Sequence, residues 1–500
     1  MAAFGTVEVM TLDPRTPVVV GVAQAKQKPE DLGEALEAVA FMEQVVRGAA
    51  DDAGAPDVLS KLDYVGVVQG AWKYTDPARL IAEAVGSPQA RSAISANGGN
   101  TPQSYLNALA TRIQAGQMSS AVICGAETIW SRRRQRRAGM EVAFTRQDDV
   151  TPDERVGADV NMQTDFEASR GMEMPIQFYP MFESAIRAAR GESIDEHRDR
   201  VAALWATFNE RAVANEYAWT RTPMTADEIR NASPSNRMVG FPYTKAMNSN
   251  WDLDQAAAVL LCSVEFAESA GIDRDRWVFP WAGTDAHDTY HVSERRDLHS
   301  SPAIEAAGKR LYELGGVGPD DVAHIDLYSC FPSAVQVGAA SLGLGQDRLL
   351  TQTGGLTFAG GPLNNYVTHS IATMVSVLRD DAGSVGLVSA NGGFLTKHAI
   401  GLYSTEPRAD GFSAADVQDE VDAVPTTPVA PDHVGSATVE AYTVMHGVDG
   451  PEEGLCALRT PDGARTWGRV TDAAAAGSMT TEEAIGRAGD LSADGQFALS

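Results

Sequence analysis

A chain of 500 residues is too long for one simple core, and its 44% hydrophobic and 21% charged residues suit a folded protein of two or more domains. No apolar run approaches the roughly 18 to 20 residues of a membrane span, and Met1 to Pro14 lacks the basic start and apolar stretch of a signal peptide. The formal net charge of −27 repels phosphate backbones, which argues against general nucleic-acid binding.

The first apolar strand is Val18 to Val22, followed by a second from Leu62 to Val68. A glycine-bearing turn, Ser95 to Tyr105, leads into a helical stretch to Gln114 and then a strand from Ala121 to Gly125. Five arginines follow within six positions: Arg132, Arg133, Arg134, Arg136 and Arg137. They read as a local phosphate site of forked guanidinium donors or as a basic surface turn neutralised by nearby acids. Ile129 to Val239 is a long excursion rich in charge, Met and aromatic residues, with a helical pattern from His197 to Asn215. An insertion of that size predicts an active-site cover.

The order of elements then repeats. Trp277 to Trp281 echoes the first strand and Ile325 to Tyr328 the second. The turn Phe358 to Tyr366 echoes the first glycine-bearing turn, and the strand Val385 to Ser389 echoes Ala121 to Gly125. Gly99 and Gly361, and Cys124 and Ser389, stand 262 and 265 residues apart. Constant offsets predict a duplicated α/β unit with strands buried between helices.

After Thr405 an acidic stretch with Pro425, Pro428 and Pro431 reads as a linker, and Ala437 to Val470 alternates like short strands joined by tight turns. The expected organisation is a first half over 1–274 with its cover at about 129–245 and a second half over 275–405. A linker over 406–435 and a small OB-like β-barrel over 436–500 complete it. The four cysteines, Cys124, Cys262, Cys330 and Cys456, have no paired spacing, which fits a reducing cytoplasm and argues against disulfides or zinc.

The duplication, the glycine turn before each central helix, Cys124-Gly-Ala-Glu-Thr128 and Asn248-Ser…Asp254-Gln-Ala-Ala-Ala-Val259 together resemble the thiolase superfamily over about residues 15 to 405. The additional C-terminal domain makes the chain similar to thiolase-like proteins of type 1. The resemblance implies the thiolase fold, two βαβαβ halves in five α-β-α-β-α layers. It implies coenzyme A or an acyl-CoA as ligand with no further cofactor or metal. It leaves open a homodimer or a protein partner through the C-terminal domain. Family chemistry uses a Cys-x-Ser nucleophile at a helix N-terminus, a Gly-His-Pro base, a Cys-x-Gly acid and an Asn- or His-headed loop beside an oxyanion hole.

Each motif is altered in this chain. Gly99-Asn100-Thr101 stands at the nucleophile, with Gly98 the alternative by one residue; neither glycine can carry an acyl group. Gly361 replaces the histidine, Tyr328-Ser-Cys-Phe331 heads the loop with tyrosine, and Ser389-Ala-Asn391 replaces the second cysteine motif. Ordinary thiolysis is therefore not expected. Thr101 and Pro102 read as N-cap and first helical residue, a start repeated by Gly361-Pro362, so that two helix N-termini face one anion or thioester-carbonyl site. Close helix packing is the other reading of those glycines. Tyr328 reads as a hydrogen-bond donor or proton-transfer group, or as a half-buried strand-end tyrosine. Steroid side-chain aldolases of the superfamily carry a Tyr-headed motif here and pair with OB-fold proteins, which implies a β-hydroxyacyl-CoA lyase as the alternative. His398, beyond a glycine hinge, is the candidate base. Cys330 reads as a buried structural thiol.

Overall fold

The computed structural model describes residues 12–500, so the reading of Met1 to Pro14 falls almost wholly outside the described residues. The first sheet contains β1 (Pro17–Lys26), β2 (Tyr64–Val67), β3 (Arg91–Ser95), β4 (Ser120–Thr128), β5 (Glu154–Val156) and β8 (Asp254–Ser263) in the order β1-β8-β4-β2-β3-β5. The second contains β9 (Phe279–His287), β10 (His324–Asp326), β11 (Val385–Gly392), β12 (Lys397–Ser404) and β13 (Ser413–Asp416) in the order β10-β11-β12-β9-β13. The two sheets share one pairing scheme. β1, β8 and β4 are successively antiparallel and β4 is parallel to β2; β9, β12, β11 and β10 repeat this. This is the duplicated thiolase fold. Strands β4 and β8 are buried along their whole length, which explains their continuous runs of small and apolar residues.

The two central helices, Thr101–Gln114 and Tyr366–Asp380, lie between the sheets. Each leans on a glycine of the opposite half. A Cβ on Gly283 of β9 would stand 2.2 Å from Asn107 of the first helix, and one on Gly125 of β4 would stand 2.3 Å from Asn365 at the start of the second. The contacts are polar. Asn107 donates to half-buried Asp285 of β9 at 2.8 Å, and Asn365 donates to the Gly125 carbonyl at 2.8 Å.

The cover comprises chiefly the helices Pro175–Arg190 and Ile194–Ala214. Its end, β6 (Met238–Gly240), continues into the third sheet by pairing with β14 (Gly435–His446). That sheet also holds β15 (Pro451–Arg459), β16 (Arg465–Val470), β17 (Ala488–Leu491) and β18 (Phe497–Leu499) in the order β16-β15-β14-β17-β18. The short helix Ala473–Ser478 lies between β16 and β17, and one parallel bridge, Arg469 to Gln496, joins the outer strands. A C-terminal β domain is thus present, as a sheet joined at its edges by a single bridge.

The stretch expected as a linker is packed. β13 extends the second sheet beside β9, Phe412, Val417 and Val421 enter the main core, and the Pro428 carbonyl accepts from the Arg465 backbone. Its acids mark an exposed face of ordered chain, and the charge count hid the three buried apolar positions between them. Arg465 then fixes the domain to the body. Fully buried, it grips both carboxylate oxygens of Glu440 at 2.7 and 2.8 Å and donates to the Ser293 and Arg295 carbonyls at 2.9 and 2.6 Å. Replacing Arg465 with Ala leaves these acceptors buried and under-paired, and is predicted to cost about 3–5 kcal/mol, read as a lowered urea midpoint.

Candidate functional site

The turns at Gly98-Gly99 and Gly360-Gly361 open onto one cavity of about 650 Å³, lined also by Tyr328, Cys330 and Asn391. Cover residues including Met162, Ile176 and Tyr179 form part of its wall. Gly98 and Gly360 have φ of 149° and 121°, a region that only glycine adopts readily. The helix starts differ from the sequence reading. Asn100, not Thr101, holds the N-cap position, with no side-chain capping bond, and the Thr101 hydroxyl donates back to the Gly98 carbonyl at 2.8 Å. In the second half Pro362 precedes a 3₁₀ turn, Leu363–Asn365, and the α-helix begins only at Tyr366. Leu363 itself has φ of 47° at the cavity, a strained value for a branched side chain.

Tyr328 occupies the space that a side chain at position 99 would need. A Cβ on Gly99 would stand 2.3 Å from the Tyr328 hydroxyl and 2.4 Å from the Asn391 carbonyl oxygen. The phenol ring packs edge-on against Tyr366 at 5.5 Å, and the Tyr328 N–H donates to the Ser389 hydroxyl at 3.0 Å. Burial, then the neighbouring Cys330 and Tyr366, pushes the phenol well above its ordinary pKa. It is a neutral hydrogen-bond donor near pH 7.

Cys330 shares this wall, because Tyr328 and Cys330 face the cavity while the Ser329 hydroxyl faces the Leu356 backbone. Cys330 is buried and packed in the core, as expected, and it also lines the cavity. Burial pushes it up to about 12, so it remains protonated. Asn391 donates to the Tyr179 hydroxyl at 2.9 Å, and Tyr179 also receives Leu395 N–H and donates to the Gly393 carbonyl. Tyr179 thus braces the second glycine loop from the cover. No local signal in the sequence marked it, since only the cover's return over the cavity brings it there.

Two candidates lie elsewhere. Ser389 supports Tyr328 from behind and is absent from the cavity lining. His398 pairs in register with Asn391, but its ring lies beside buried Asp288 at 3.4 Å, in a small chamber behind Tyr328 and Asn391. Strand alternation sends Lys397 toward the cavity side instead, where it donates to the Asn97 carbonyl at 2.6 Å. Gly361 lies at the cavity, and a Cβ there would stand 2.3 Å from the Ser249 hydroxyl, which occupies the space a side chain at 361 would need. Among the described residues no group of three metal-ligating side chains occurs.

The arginines form a helix, Ile129–Arg137, rather than a turn. Arg133 and Arg134 pair with Asp252 at 3.2 and 3.6 Å, and Arg132 donates to the Ala71 carbonyl. Arg136 and Arg137 are exposed. The cluster reaches the cavity through Trp251, which lines its mouth and lies under Arg133.

The duplicated sheets, the paired glycine turns and the cavity between them define a thiolase-superfamily protein. The chain resembles thiolase-like protein type 1 in particular. The family description "Thiolase-like protein type 1 additional C-terminal domain" matches residues 416–496. A crystal structure of a monomeric SCP2-thiolase-like protein type 1 from Mycobacterium smegmatis superposes with a TM-score of 0.85 at 29% identity, covering 98% of this chain and all of that one. A benzoylsuccinyl-CoA thiolase subunit of Thauera aromatica is 29% identical over 36% of this chain and 49% of its own length. The chain spans about half or less of the length of such curated relatives. An Ltp2–ChsH2 aldolase shares the fold, with a TM-score of 0.59 at 16% identity over 79% of this chain and 99% of that one.

Gly99→Ala is predicted to destabilise the protein by about 1–3 kcal/mol through overpacking. The cost should be smaller in a Tyr328→Ala background, where the backbone clash with Asn391 alone remains. A double-mutant cycle on denaturation midpoints measures the difference.

Proposed function

We propose that the chain binds an acyl-CoA thioester in this cavity, as a cytoplasmic protein of lipid metabolism, and does not perform thiolysis through a cysteine–histidine pair. The carrying observation is the Tyr328 hydroxyl, 2.3 Å from the place of a Gly99 Cβ. A side-chain nucleophile at position 99 and this tyrosine exclude one another. The remaining cavity thiol, Cys330, is protonated at neutral pH, and no histidine lines the cavity among the described residues. Nucleophile and base are missing together.

What remains suits binding. The wall is apolar except for a few converging groups, the usual composition of a small-molecule site. Tyr328 presents a phenol with no hydrogen-bond partner among the described residues, available to a thioester carbonyl or a β-hydroxyl. That same observation favours a second reading, in which Tyr328 acts as the proton donor of a β-hydroxyacyl-CoA lyase. The raised pKa supports donation rather than proton abstraction, so a lyase of this kind needs its base from elsewhere.

Saturating decanoyl-CoA is expected to raise the melting temperature, as any ligand selective for the folded state does. Acetoacetyl-CoA should show no CoA-dependent cleavage. CoA-dependent cleavage that is lost in Cys330→Ala, or a melting temperature indifferent to every CoA ester tried, contradicts the proposal. Tyr328→Phe is expected to retain binding. If the second reading holds, the wild type releases a carbonyl product from a β-hydroxyacyl-CoA and this variant does not.

A further inference from the structure

Two glycines from opposite halves leave room for one amine. A Cβ on Gly98 would stand 2.8 Å from Lys397 Nζ and 3.1 Å from its Cε, and one on Gly392 would stand 3.2 Å from the same Cε. Lys397 begins β12 directly opposite Gly392 of β11, so its stem lies along the face where that glycine has no side chain. Asn97, Gly98 and Gly392 all line the cavity, and Lys397 Nζ is held there by a 2.6 Å bond to the Asn97 carbonyl. At the next residue the Tyr328 hydroxyl fills the place of a Gly99 Cβ. The turn of the first half thus receives an amine and a phenol from the second, at two successive side-chain positions.

The surroundings of this amine are not those of a surface lysine. It is half-buried, and burial lowers its pKa below the ordinary lysine value. Asp159, which opposes that shift, is itself paired with Arg155 at 2.5 Å. The unprotonated amine is the nucleophilic form, so desolvation of this kind activates a lysine. Lys26 and Lys28 are lowered by burial too, but they donate to the carbonyls of Glu216, Ala218 and Trp219, none of which lines the cavity.

We propose that Lys397 is an acyl acceptor: its amine attacks the carbonyl carbon of a thioester held beside Tyr328, and the acyl group stays on Nζ as an amide. The new C–N bond replaces the C–S bond, and coenzyme A leaves as its thiol with the proton that the amine gives up. Tyr328, the neutral donor at the adjacent position, stabilises charge on the carbonyl oxygen. Gly98 places no side chain in the path, and a flexible four-carbon stem lets Nζ leave the Asn97 carbonyl for the ligand. The amide is stable, so each chain reacts once. The inference rests on the thioester-binding reading and adds a covalent fate for the bound ligand.

Incubation of the full chain with decanoyl-CoA, followed by peptide mass spectrometry, tests it. Decanoylation is expected at Lys397 at least about tenfold faster than at exposed Lys61 and Lys309, because a held reactant gains effective concentration. The label should survive hydroxylamine, which would remove a thioester from Cys330. Decyl-CoA thioether, which has no carbonyl to attack, should slow labelling of Lys397 and not of the exposed lysines. The wild-type peptide map decides without any variant; Lys397→Met, which keeps most of the stem, should lose the label. Equal labelling of Lys397 and the exposed lysines overturns the acceptor while leaving thioester binding intact. So does label on Cys330 alone, or no label on a chain whose melting temperature the thioether raises. A melting temperature that neither decanoyl-CoA nor the thioether moves overturns the thioester reading, and the acceptor with it.

Discussion

Everything in this molecule depends on how closely the two central helices approach the sheets. Gly125 and Gly283 admit Asn365 and Asn107 at distances where no side chain fits, and Gly401 admits Gln103 in the same way. Each helix is held by the sheet of the other half, so the halves cannot separate without exposing buried amide groups. Because both helices are fixed in this way, their N-terminal turns converge, and the cavity is the space left where they meet. Gly98 and Gly360 at the turns and the glycines of the strands belong to one packing solution.

Within that frame the site has been rebuilt around a tyrosine. Tyr328 takes the volume that a nucleophile at position 99 would need, Ser249 takes that of a base at position 361, and Ser389 holds the Tyr328 backbone. The side chains that fill these places in the cavity wall carry neutral hydroxyl groups. Burial keeps Tyr328 and Cys330 protonated, which is consistent with recognising a thioester and poorly suited to attacking one.

The C-terminal domain is part of this architecture rather than an appendage. Its β14 pairs with the end of the cover, and Arg187 of the cover helix Pro175–Arg190 bonds the Tyr442 hydroxyl at 3.1 Å and Glu483 at 2.8 Å. Tyr179, which braces Asn391 across the cavity, belongs to that same cover helix. A packed path therefore runs from the third sheet through one helix to the cavity wall. It gives the additional domain a physical means of setting the position of the cover.

The sequence by itself determined the duplication, because repeated order at near-constant offset requires repeated topology, and β1, β2 and β4 recur as β9, β10 and β11. It also determined that positions 98, 99 and 361 carry no side chain, since glycine has none wherever the fold puts it. It could not show what fills the gaps. Tyr328 and Gly99 are 229 residues apart, and only the packing of the second half against the first brings the hydroxyl to that point. Composition misled at 406–435, where acids on one face of an ordered segment read as a linker, and strand direction was undecided at His398. Tertiary structure settled both, because burial is a property of what lies opposite a residue, and sequence records only what lies beside it.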